Sequence, residues 1–205
     1  MTDHSPRTHA AGRGLKSPDM KAIRNTPTVW SPVAKLFHWS TALLIGAMFV
    51  LGWLAVTYPM SPTKIELFNL HKSLGLFILA WTLLRLGWRI THEAPPLPVD
   101  IRRAERRAAR LAHAALYVLI IAMPFSGWVI NSAADFPLKW FGLFRVPQIV
   151  GPNEGLQDIA ELVHFTLSWT ILAVLALHIV AALRHHFVMK NELLLRMLPF
   201  VKSEK

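Results

Sequence analysis

Along the chain the apolar residues gather into long runs rather than short alternating stripes. Four of these runs, at about Val33–Val56, Phe68–Ile90, Leu111–Ile130 and Glu161–Phe187, are each long enough to cross a bilayer as a single helix. They predict an all-α integral membrane protein whose residues 30–199 form a four-helix transmembrane bundle. Residues 1–29 are rich in Ser, Thr, Pro, His and basic side chains without an apolar period, so they are expected to be a disordered tail, and residues 200–205 a short C-terminal one. A secretory signal is not expected there. The stretch has no apolar core of its own, and the first hydrophobic run is too long and lacks a clear cleavage site.

Composition sharpens this picture. Hydrophobic residues make up 53% of the 205 and charged ones 17%, as in a membrane protein. There is no cysteine, which excludes disulfides, thiolate metal sites and cysteine-ligated iron–sulfur clusters. Redox chemistry would have to rest on histidine-bound metal or an organic cofactor. The formal charge of +10 would suit nucleic acid, but the basic residues flank the spans. Six lie in the N-terminal flank through Lys35, six in Arg89–Arg110 and five from Arg184 onward; the other two loops hold Lys64, and Lys139 with Arg145. Positive flanks stay on the cytoplasmic side, so both termini are expected there, with membrane lipid and not nucleic acid as the surroundings.

The loop Ser132–Ala160 is too long for a bare turn, and its FPLKWFGLFRVPQIVGP mixes aromatic rings with Pro and Gly. Two readings are compatible: a segment lying on the outer membrane surface, and a lid over a cofactor, quinone or oxidant entrance.

The fourth run carries His164 and His178, fourteen residues apart. That is about 3.9 turns, so both rings leave one side of the helix, about 21 Å apart in depth. Ionisable side chains at membrane depth are costly unless used. On the outer side the spans place only His71 and His164. On the inner side they place His38, His113 and His178, with His185 and His186 beyond, and depth alone does not choose among these. His38 with His178 is favoured, because His185 adjoins Arg184 and His186 at the membrane edge, where a solvated ring is expected. His113 faces an uncertain direction and follows a basic run; it reads either as a donor to a cofactor carboxylate or as an ordinary interfacial histidine.

Two histidine pairs at two depths suit two b haems, each clamped between imidazoles of facing helices. Gly75, one turn after His71, and Gly46, two turns after His38, would clear room for a flat macrocycle, although small residues also let membrane helices approach. Arg85 and Arg89 could hold haem propionates, Arg89 equally serving as plain inner-flank charge. Pro124 with Gly127 predicts a kink in the third span. A zinc site would want three or four ligands converging at one depth, commonly with carboxylates, and no Asp or Glu lies within the apolar part of any span.

Several motifs also match a known family. KLFHW at Lys35–Trp39, LHKSLG at Leu70–Gly75, HAALYVLIIAMPFSG at His113–Gly127, WFGLFRVP in the outer loop, ELVHFTL around His164, LHIVAALRHHF around His178 and LLRMLP at Leu194–Pro199 together resemble the bacterial cytochrome b561 family of diheme membrane cytochromes. The resemblance implies a bacterial inner-membrane protein with two haem b groups. It implies His38 and His178 as ligands of the cytoplasmic haem iron, and His71 and His164 as ligands of the periplasmic one. It also implies electron transfer between a periplasmic-side donor, superoxide in some members, and the quinone pool. Lys139 and Arg145 could then draw a small anion toward the outer site. Two alternatives are a non-catalytic anchor and relay for a partner dehydrogenase or periplasmic cytochrome, and a transporter whose histidines bind metal or move protons.

Overall fold

The computed structural model describes residues 29–97 and 101–199. The expected tails therefore lie, Val29 apart, outside the described residues. Four long helices dominate: α1 at Pro32–Thr57, α2 at Pro62–Thr91, α3 at Arg103–Ala133 and α4 at Glu154–Leu183. All four are long and apolar enough to cross a membrane. They start earlier than the apolar runs, because the start signals are polar. Ser31 and Ser61 cap helices whose first residue is proline, and Asn153 accepts from the Leu156 amide at 2.8 Å. Hydropathy marks only the part of each helix at bilayer depth.

The four-residue link Tyr58–Ser61 makes α1 and α2 antiparallel neighbours, and α2 packs on α3 and α3 on α4. Pro124 lies inside α3, which runs on to Ala133. At mid-depth the helices meet through Ile45, Ile78, Ile120 and Ile171, one isoleucine from each, all buried. Each stands seven residues from a histidine: Ile45 from His38, Ile78 from His71, Ile120 from His113, and Ile171 from both His164 and His178. Seven residues are about two turns and 10.5 Å, so every one of these histidines shares a helix face with the isoleucine layer and lies above or below it. Around this layer small polar residues such as Thr41 and Thr82 are almost fully buried, which lets the helices approach closely.

The ends differ. At one, α4 passes into a π-helical turn, Arg184–Val188, and a short α5 at Leu193–Met197. The Trp39 indole donates to the Met197 carbonyl at 2.9 Å, and Arg184 pairs with Glu105 at 3.1 Å. This is the terminal side. At the other end the loop expected to be irregular forms a hairpin, β1 at Leu138–Trp140 against β2 at Phe144–Val146. It is the only β-structure among the described residues.

Phe141 and Gly142 turn the hairpin with positive φ of 47° and 75°. That conformation is costly for a phenylalanine. It is offset by Ser73 of α2, whose buried hydroxyl accepts from the Phe141 amide at 3.0 Å and donates to the Lys139 carbonyl at 3.4 Å. Trp128 adds a hydrogen bond to the Pro147 carbonyl at 2.9 Å. The hairpin is thus fastened to α2 two residues from His71. Ser73→Ala should leave both backbone groups without their partner and cost about 1–3 kcal/mol. Amide exchange at Phe141 in detergent-solubilised protein should then accelerate roughly tenfold or more, with exchange in the helix centres unchanged; an unaltered rate would mean strand pairing alone holds the turn.

Candidate functional site

The helix period brings the histidines together in two groups. On the hairpin side His71 of α2 and His164 of α4 face each other with ring centres 6.3 Å apart. On the terminal side His38 of α1 and His178 of α4 also have ring centres 6.3 Å apart. Two imidazoles bound on opposite sides of one metal ion, with bonds of about 2 Å and about 1.1 Å from ring centre to nitrogen, have centres a little over 6 Å apart. Both pairs have that spacing.

His113 completes the terminal-side group, 5.4 Å from His178 and nearly edge-on to it. That separation is too short for the two rings to stand on opposite sides of one metal ion. The heptad step from Ile120 was the signal in the sequence that points His113 inward. His185 stands apart: its Nδ1 is 2.9 Å from the Asn191 amide nitrogen, within the π-helical turn region. Among the described residues no three or more His, Asp or Glu side chains form a group that could hold a metal ion, so each level offers a facing pair and not a cage.

The surroundings of the rings differ from those expected. A Cβ at Gly46 would meet nothing within 4 Å, and one at Gly75 would make ordinary contact with Met48 at 3.7 Å. The glycines that touch the histidines are two others. A Cβ on Gly52 of α1 would stand 3.2 Å from His71 Cε1, and one on Gly127 of α3 would stand 3.3 Å from His164 Cε1. Each hairpin-side ring is seated against glycine backbone of the neighbouring helix, a contact no spacing within one helix reveals. Beside Gly127, the buried Ser126 hydroxyl lies 2.8 Å from His164 Nδ1. His71 Nδ1 is buried with no hydrogen-bond partner. A buried ring nitrogen without a partner is uncommon in a folded protein.

Charge gathers on the terminal side. Arg85 Nη2 lies 3.2 Å from His38 Nδ1, and its guanidinium sits 5.4 Å over the Tyr117 ring. Arg85 and Tyr117 line a small cavity of about 30 Å³ with Arg89, His92 and the Trp30 and Trp88 indoles. Arg89 stacks on Trp30 at 4.8 Å, and Trp88 Nε1 is buried without a partner. The corner is rich in donors. On the hairpin side Lys139 and Arg145 are directly opposite across the two strands and both exposed.

Helices that stack facing histidine pairs at two depths of an apolar bundle define a membrane electron carrier. The chain belongs to the prokaryotic cytochrome b561 family, whose profile matches residues 29–200. Among curated proteins it is 35% identical over 185 residues to cytochrome b561 homolog 2 of Escherichia coli K12, covering 86% of this chain and 95% of that one. It is 28% identical to cytochrome b561 homolog 1 of the same organism, over 79% of this chain and 92% of the relative. It is also 28% identical to a probable superoxide oxidase, CybB, of Yersinia pestis, over 79% and 91%. The protein is accordingly a multi-pass membrane electron-transfer protein of a family that carries b-type haem.

The residues present fit such a group. The ring spacing and the glycine seats suit imidazoles that ligate iron, and the cationic corner beside His38 suits carboxylates. Gly52→Ala and Gly127→Ala should each push a hairpin-side ring by a few tenths of an ångström and lower haem per chain. Gly75→Ala should leave it unchanged. The pyridine haemochrome of the three purified variants checks this.

Proposed function

We propose that the chain holds two b haems and carries electrons from a donor on the hairpin side, superoxide being the candidate, to the membrane quinone pool. The observation that carries this reading is the repetition of one imidazole spacing at two levels, separated by the isoleucine layer. His71 and His164 ligate the hairpin-side iron, and His38 and His178 the terminal-side iron. Haem at these two levels supplies reversible one-electron chemistry at two depths, which is what an electron needs to cross an apolar bundle. Arg85, and His113 beside His178, meet the propionates of the terminal-side group, with Arg85 turned toward the donor-lined corner it already borders. The excess of basic residues in the flanks supports a cytoplasmic terminal side in a bacterial inner membrane, with the hairpin in the periplasm.

Superoxide as donor is supported by the name of the Yersinia pestis relative and by charge at the hairpin. Like charges directly opposite on paired strands are destabilising, yet Lys139 and Arg145 occupy such a pair. Their cost is accounted for if they draw an anion to this face. In the overall reaction two superoxide ions each give up one electron to become dioxygen, and one quinone takes two electrons and two protons to become quinol.

The test is the reduced-minus-oxidised spectrum and haemochrome of purified protein. Wild type should carry two b haems per chain, and His71→Ala and His178→Ala should each lose one, a different one in each case. A colourless wild type would refute the cytochrome reading of these histidines. The Lys139→Ser/Arg145→Ser double variant should keep both haems while superoxide-dependent quinone reduction falls several-fold at low ionic strength and converges on wild type at high salt. An unchanged rate would remove the two residues from substrate capture.

A further inference from the structure

We propose that Ser126 is a positioning residue for His164. It fixes the ring as the Nδ1–H tautomer, which leaves Nε2 free to bind iron and makes that nitrogen a stronger donor. The inference rests on the ligand assignment proposed above and on a count of protons. A serine hydroxyl has one hydrogen. Ser126 Oγ lies 2.7 Å from the Met123 carbonyl oxygen, which can only accept, so the hydroxyl hydrogen is committed there. Toward His164 Nδ1, at 2.8 Å, the same oxygen can only accept. The proton on the neutral ring must therefore be on Nδ1, and the lone pair on Nε2.

The site around this bond is closed. Ser126 is 8% exposed. Gly127, the next residue, brings α3 backbone against the Cε1 edge of the same ring, so Gly127 fixes the position of His164 while Ser126, together with the Met123 carbonyl that also accepts from the ring, fixes its tautomer. The opposite ring has only half of this. His71 is seated against Gly52 in the same manner, but its Nδ1 has no partner. One ligand of the pair is thus steered by a hydrogen bond and the other by packing alone. Hydrogen bonding of the distal N–H raises the basicity of a histidine ligand and favours the more oxidised metal. Ser126 therefore holds the hairpin-side potential lower than packing alone would.

The test is an optical redox titration of purified haem-loaded protein for wild type, Ser126→Ala, Ser126→Thr and His164→Ala. His164→Ala identifies the hairpin-side component as the one it loses. If His164→Ala keeps both haems, the ligand assignment fails and this proposal with it. With the component identified, Ser126→Ala should keep its haem, move that component to higher potential and leave the other in place. Ser126→Thr, which retains a hydroxyl, should return it toward wild type. A fully loaded Ser126→Ala with an unmoved titration would overturn the proposal while leaving the ligand assignment standing, since a serine that only packs α3 changes stability and not potential. If Ser126→Ala loses haem, Ser126→Thr decides: wild-type loading and potential support the role, and loss or a shift there overturns it.

Discussion

An imidazole in the hydrocarbon layer has no water to pair with, and every other feature of this bundle follows from how that is managed. The ring must be hydrogen-bonded, neutral and tolerated, or bound to something. Here the helix period sets the terms. A histidine seven residues from a core isoleucine is forced onto the face that meets the other helices, and α4 uses Ile171 twice, once for His164 and once for His178. Two levels of facing rings are thus a geometric consequence of one apolar layer. The same layer separates them by about two turns on either side, so the arrangement that packs the bundle also sets the distance between the two levels.

Packing rings that closely requires that something be small. The bundle meets this with backbone: Gly52 opposite His71 and Gly127 opposite His164, each on a different helix from the ring it accommodates. Buried small hydroxyls serve the parts of the structure that cannot be glycine. Ser73 satisfies two backbone groups of the hairpin turn, and Ser126 joins the Met123 carbonyl to His164. A hydroxyl suits both places because it gives one hydrogen and still accepts another.

What the amino-acid pattern made legible, and what it did not, divides along the same line. Spans, their number and the pairing of His71 with His164 follow from periods within single helices, and these are visible in a string. Contacts between helices are not. Gly75 and Gly46 attracted notice because they lie near histidines on their own helices, whereas Gly52 and Gly127 matter through partners 19 and 37 residues away. His113 was an intermediate case. Its direction looked uncertain from its basic flank, yet its heptad distance from Ile120 carried the answer once Ile120 was known to face the core. The hairpin was hidden for another reason. Phe141 adopts a backbone conformation that its own propensity argues against, and the serine that holds it there lies 68 residues earlier. Ser126 was invisible for want of the proton count that only distances permit.

The two levels are also unequally prepared for a metal. On the hairpin side the tautomer imposed by Ser126 already leaves His164 Nε2 with a lone pair. On the terminal side Arg85 Nη2 stands 3.2 Å from His38 Nδ1, and a guanidinium can only donate. In that contact the proton of His38 must be on Nε2, the nitrogen that iron would need. A ligand role for His38, on the function proposed above, would need the proton on Nδ1, the nitrogen toward which Arg85 also donates. The corner that Arg85 lines with Arg89, Tyr117 and the unpartnered Trp88 Nε1 is rich in donors. Carboxylates are the chemistry such a corner would pair with, and on the proposed function an Arg85 that met them would no longer compete for His38. Arg85 thus favours on His38 the opposite tautomer from the one Ser126 favours on His164, and the two levels differ in which ring nitrogen carries the proton.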